Sequence, residues 1–124
     1  MSIQRRAVLA ATLAAAAIAH PSAFAQKKIV LGFSQIGAES EWRTANTESI
    51  KQAAKDAGIE LKFSDAQQKQ ENQIKAIRSF IAQKVDVIAF SPVVESGWEP
   101  VLREAKAAKI PVVLTDRAVN TKDT

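Results

Sequence analysis

The chain has no cysteine and one histidine, His20, among its 124 residues. Without cysteine there is no disulfide framework, so a chain carried into an oxidising compartment must rely on its packed core. If the leader argued below is removed, the histidine goes with it. What remains cannot assemble a Ser-His-Asp or Cys-His nucleophile, and it lacks the usual zinc and copper ligands. No Gly-x-Gly-x-x-Gly or Walker-type loop follows any predicted strand, so a dinucleotide or ATP site has no support. Charge of one sign is also scarce. Every acidic residue follows Ala25, so losing the two charges of Arg5 and Arg6 takes the formal balance from +4 to +2. A nucleic-acid surface would show clustered Lys and Arg on one face. The enzyme reading shrinks to paired carboxylates. Glu39 and Glu41, two positions apart in a loop, read better as ligand contacts or solvated charges than as an acid-base pair. No catalytic residue, metal or cofactor is expected.

The long apolar run at residues 7–19 is well short of the roughly 20 residues that span a bilayer, which makes a permanent membrane anchor the weaker reading there. It has the form of an export leader. Arg5 and Arg6 precede it, Pro21 follows, and Ala23-Phe24-Ala25 is the small-x-small pattern that signal peptidase accepts. Cleavage is expected after Ala25, which divides the chain into a leader over 1–25 and a domain over 26–124. The arginine pair with its alanine-rich core suits twin-arginine export as well as the general route, and the sequence leaves both open.

The domain reads as strand and helix in alternation. Residues 28–34 are rich in Ile, Val, Leu and Phe, as a strand buried on both faces requires. From Trp42 onward Ala45, Ile50, Ala53, Ala54 and Ala57 predict a helix with its apolar stripe, closed by Gly58 in a left-handed cap. Residues 59–63 predict the second strand, followed by a polar turn at 64–68. Ile74, Ile77, Phe80 and Ile81 predict a helix over 69–83, and 85–90 the third strand, stopped by Ser91-Pro92. Residues 98–109 predict a third helix, with Trp98, Val101, Leu102, Ala105 and Ala108 on its buried stripe. Ile110-Pro111 leads into a fourth strand at 112–114. Repeats of this length are βαβ units, so the expected fold is α/β, a parallel sheet with helices on both faces. The fourth strand has no following helix, and a parallel sheet needs cover on both faces, so the chain reads as a fragment.

Two charged segments stand directly after strands. The first strand runs into Ser34-Gln35-Ile36-Gly37-Ala38-Glu39-Ser40-Glu41-Trp42-Arg43, and the fourth into Thr115-Asp116-Arg117. Residues just past the carboxyl ends of parallel strands face one crevice. A carboxylate, two guanidinium groups and an indole are therefore expected to converge there, which is the chemistry of holding a sugar. Blander readings stand beside this one. An indole at a helix start also serves as a core or staple residue, and Asp116-Arg117 alone is an ordinary exposed pair. The polar run at 67–73 reads as the solvated first turn of a helix, with amides bordering the ligand as the alternative.

Gly32-Phe33-Ser34-Gln35-Ile36-Gly37, Ser40-Glu41-Trp42-Arg43, Gln67-Gln68-Lys69-Gln70-Glu71-Asn72-Gln73, Ser91-Pro92-Val93-Val94 and Gly97-Trp98-Glu99-Pro100 occur in this order. Together they resemble the amino-terminal half-lobe of a type I periplasmic sugar-binding protein, the solute receptor of an ABC importer, and within that family they are similar to its galactofuranose-binding member. The resemblance runs from Lys28 to Thr124. It implies a partial amino-terminal lobe of the type I periplasmic-binding-protein fold, working in the periplasm as a monomer. The implied partners are a monosaccharide ligand, galactofuranose first, and an importer permease, with no nucleic acid, no cofactor and no chemical conversion. By position, Trp42 would stack on the sugar ring while Arg43, Asp116 and Arg117 bond its hydroxyls. Glu39, Phe33 and Gln35 would line the same wall. The family's glycine after the aspartate of the second loop is Ala66 here. A receptor lobe for sugar sensing or chemotaxis, and a truncated product that binds nothing, stay open as alternatives.

Overall fold

The computed structural model describes residues 26–122, so the expected leader lies outside the described residues. Four strands alternate with three helices: β1 (Val30–Gln35), α1 (Glu41–Asp56), β2 (Glu60–Asp65), α2 (Gln70–Ala82), β3 (Val87–Phe90), α3 (Glu99–Ala107) and β4 (Val112–Leu114). All pairings are parallel, in the order β2-β1-β3-β4. The chain therefore leaves β1 toward one edge and returns to its other side for β3. The α/β fold class expected from the sequence is the one observed.

Register decides what each face of the sheet meets. Phe33 pairs with Phe63 and Ala89, while Gly32 pairs with Lys62 and Ile88. The phenylalanine face carries α1: the two rings lie 6.1 Å apart, Lys51 of α1 stands 5.1 Å over Phe63, and Gln35 reaches Thr47. The opposite face carries α2 and α3. A Cβ at Gly32 would fall onto the Phe80 ring, so only glycine lets α2 lie this close to the central strand. The main core forms there from Ile77, Phe80, Ile88, Phe90, Trp98, Val101 and Leu102. Trp98 is fully buried, as its spacing predicts; its indole N–H donates to the Val94 carbonyl at 2.7 Å and its ring packs 4.8 Å from Phe90.

Element ends depart from the sequence expectation for local reasons. All three helices close in the same way. At Gly58, Lys84 and Lys109 the backbone turns left-handed, with φ of 66°, 54° and 58°. The next residue, Ile59, Val85 or Ile110, sends its N–H back to Ala54, Phe80 or Ala105. That is the Schellman pattern, with an apolar residue folding back on the last turn. Val85, expected in the third strand, therefore belongs to a helix cap, as does Ile110, and β3 begins only at Val87. β2 runs on through Ser64 and Asp65, where a turn was expected, because both pair with β1. Ala66 keeps a negative φ, so no glycine is needed there; the left-handed positions in that loop are Gln67 and Gln68.

The stripe expected on α1 needs correction. Ala45, Ala53 and Ala57 are exposed, while Arg43 and Ala54 are buried and Thr47 and Ile50 half-buried. Positions 43, 47, 50 and 54 form the inward row, offset from the row of Ala45, Ala53 and Ala57; on α3 the expected stripe likewise stops at Ala105, because Ala108 is the C-cap and is exposed.

Candidate functional site

β1 runs on into Ile36 and Gly37, both buried, and Ser40 caps α1 by accepting the Arg43 N–H on its hydroxyl at 3.2 Å. This start sets the phase of the helix. It turns Arg43 inward and leaves Trp42 outward, with 6% and 55% of their surfaces exposed. A Cβ at Gly37 would stand 2.7 Å from the Glu39 carboxylate and 3.3 Å from Gln68, so a side chain there would push Glu39 from its place. The loops after β1 and β2 also share a hydrogen bond from the Gln68 N–H to the Ile36 carbonyl.

Arg43 is the hub. Its Nε donates to Glu39 at 3.2 Å and its Nη1 to Asp116 at 2.8 Å, while its guanidinium lies 4.7 Å from the Trp42 ring centroid. A planar fork is what allows one cation to hold two carboxylates and also stack on an indole. The contact ties the loop after β1 to the loop after β4, across the end of β3. These are the carboxyl ends beside the point where the strand order reverses, the usual ligand crevice of such a sheet.

The loop after β4 is bent sharply. The Arg117 N–H bonds the Thr115 carbonyl at 2.7 Å around Asp116, whose φ is 66°. A three-residue turn of positive φ is rare and strained, and Asp is among the few residues that tolerate it. It presents Asp116 and Arg117 side by side, with Oδ2 and Nε 3.9 Å apart. Arg117 Nη1 also donates to the Val93 carbonyl at 3.3 Å. Among the described residues no hydrogen bond reaches Asp116 Oδ1.

Of the seven residues expected at the site, Glu39, Trp42, Arg43, Asp116 and Arg117 come together on one rim. Phe33 and Gln35 lie beneath it, 2% and 0% exposed. Gln35 is committed internally, its Nε2 toward Thr47 and its Oε1 accepting the Ile36 N–H. Sequence reasoning missed Gln73, read as part of a solvated turn. It is fully buried and bonds the Ser91 carbonyl and the Val93 N–H. Its signal was its spacing, four residues before Ile77 and seven before Phe80 on the apolar row.

The structure is thus a parallel α/β lobe with a ring-and-ion rim at its strand ends, and comparison with known proteins gives its class. Residues 31–124 match the periplasmic binding protein domain, and the chain belongs to that family. It is 60% identical over 95 residues to the galactofuranose-binding protein YtfQ of Escherichia coli, a match spanning 77% of this chain and 30% of that protein. Among solved structures it is similar to the binding component of the arabinose ABC transporter from Shewanella sp. ANA-3, bound to α- and β-L-arabinofuranose. There the identity is 64% and the TM-score 0.74, over 75% of this chain and 31% of the other. A Mycobacterium smegmatis protein in complex with β-D-fucofuranose is 70% identical with a TM-score of 0.76, over 77% and 32% of the two chains. The chain thus spans about a third of the length of the relatives it matches. No helix among the described residues is long and apolar enough to cross a membrane.

Proposed function

We propose that the chain is the amino-terminal sugar-binding lobe of a periplasmic receptor for an ABC importer, taking a monosaccharide in its furanose form without converting it. The observation that carries this reading is the exposed Trp42 ring beside the Arg43–Asp116 pair, at strand ends, in a chain similar to a protein named for galactofuranose and to structures solved with arabinofuranose and fucofuranose bound. In this reading the indole offers a flat apolar face to the C–H side of the sugar. Arg43 and Arg117 donate to hydroxyl oxygens, and Asp116 accepts from adjacent hydroxyls through Oδ1. Glu39 holds the Arg43 fork and borders the same wall. Phe33 and Gln35 give the floor its shape from beneath. Export through the leader to the periplasm, and docking on a permease, belong to the same reading.

One lobe supplies one side of the contacts, so affinity is expected in the millimolar range, about 4 kcal/mol of binding free energy. The test is an NMR titration of the chain with L-arabinose and D-galactose, whose solutions contain furanose forms, with mannitol as control. Saturable shifts are expected at the Trp42 indole N–H and at the Arg43, Asp116 and Arg117 signals. Trp42→Ala should abolish saturation without lowering the melting temperature by a matching amount. Silence at all four positions at on the order of 100 mM sugar would overturn the reading.

A further inference from the structure

We propose that Gln73, inside α2 and away from the rim, is the positioning residue for the Asp116–Arg117 wall; the ligand role of that wall rests on the function proposed above. The Gln73 side chain is completely buried, and both ends of its amide are used on one loop. Nε2 donates to the Ser91 carbonyl at 2.7 Å, and Oε1 accepts the Val93 N–H at 2.9 Å. Between them Pro92 has no N–H to contribute and is itself buried. The Ser91-Pro92-Val93 corner, just past β3, is therefore clamped at both sides by one side chain.

The same two residues carry the wall. Ser91 Oγ and Thr115 Oγ1 are 2.8 Å apart, a hydrogen bond that locates the residue opening the strained turn. The Val93 carbonyl receives Arg117 Nη1 at 3.3 Å. Two routes thus lead from Gln73 to the turn, one through Ser91 to Thr115 and one through the Val93 peptide to Arg117. Val93 is held by Gln73 on its N–H and holds Arg117 on its carbonyl. A buried amide with both functions satisfied resists displacement, because moving it would leave polar groups unpaired in a dry interior. A loop so clamped gives Arg117, half exposed and long, a fixed anchor before any ligand arrives, and pre-organisation of this kind lowers the cost of binding.

The test separates this role from plain stabilisation by using the ligand-free chain first. In Gln73→Leu the Val93 amide should exchange faster by about tenfold or more, and the Arg117 Nε–H signal should shift while that of Arg43 stays in place. Gln73→Met, which removes both hydrogen bonds while keeping the length and volume of the side chain, should give the same pattern and serves if the leucine variant does not fold. Ile77→Val, a packing change one turn further along α2, should lower stability while leaving Arg117 unmoved. An unchanged Arg117 signal in the Gln73 variants, or an equal disturbance in Ile77→Val, would overturn the proposal. With sugar, the affinity losses of Gln73→Leu and Arg117→Ala should overlap. Full additivity with Arg117→Ala would also count against it. Absence of any sugar response in the unaltered chain overturns the function proposed above, and the ligand-free signals still decide the role of Gln73.

Discussion

At the scale of single residues, the decisive fact is a division of labour between neighbours. Trp42 and Arg43 are adjacent in sequence, yet one faces water and the other is buried between two carboxylates. Glu39 and Asp116 keep about a third of their side-chain surface exposed, so the pairs are neither fully screened nor fully desolvated. Arg43→Met would leave both carboxylates free to turn toward solvent and would unfasten the loop after β4 from the loop after β1. We expect a loss of about 1–2 kcal/mol in a denaturant titration, together with loss of the sugar-induced shifts at Asp116. A variant of unchanged stability would show that the fork is incidental to the fold.

At the scale of elements, three helix ends carry one motif with different residues. A lysine held at positive φ costs about 1 kcal/mol relative to glycine, and it does so at Lys84 and Lys109. Lys109→Gly should therefore raise stability by about 0.5–1 kcal/mol. Gly58→Ala should lower it by a similar amount although its Cβ would meet nothing within 4 Å. Denaturant midpoints of the two variants should move in opposite directions. Between α2 and α3, Arg78 donates to both Glu104 oxygens, at 2.9–3.3 Å. These hydrogen bonds, followed by the charge of Arg78, hold the Glu104 carboxyl below its usual range. Asp86 is lowered too, first by the Val30 N–H and then by Lys27. A lowered carboxyl stabilises the fold above its unfolded pKa, near 4, and loses that contribution as pH falls through the folded value. Stability should thus decline below about pH 4, and Glu104→Gln should flatten that decline. An acid limb identical in wild type and variant would remove Glu104 from the account.

At the scale of the whole molecule, the two sides of the sheet are unequal. α2 and α3 bury four and three residues against it, including Ile77, Phe80, Val101 and Leu102, whereas α1 buries only Arg43 and Ala54. Val113, in register with Ala89 and on the face of α1, is 48% exposed. Folding free energy is concentrated in the layer of α2, α3 and β3. Amide exchange should show it: protection in α1 is expected to be lower than in α2 by about tenfold or more. Uniform protection across the three helices would mean that the α1 layer holds more of the stability than its burial implies.

Strand and helix alternation, the parallel sheet, the buried Trp98 and the pairing of two strand-end segments were all legible in the amino-acid order. Each depends on local periodicity and on the one crevice that a parallel sheet makes. Which row of α1 faces inward was not legible, because alanines suit either face and the phase is set where Ser40 caps the helix. The burial of Gln73 could be read from its spacing to Ile77 and Phe80, but not its partners, which lie 18 and 20 residues further on. The positive φ of Asp116 and the 2.8 Å contact of Arg43 across 73 positions likewise arise only when β1, β3 and β4 lie side by side. The sequence by itself determined the elements and the chemistry available at their ends. The tertiary structure decided which of those groups meet, since long-range hydrogen bonds and burial depend on strand order and register, and no local pattern encodes either.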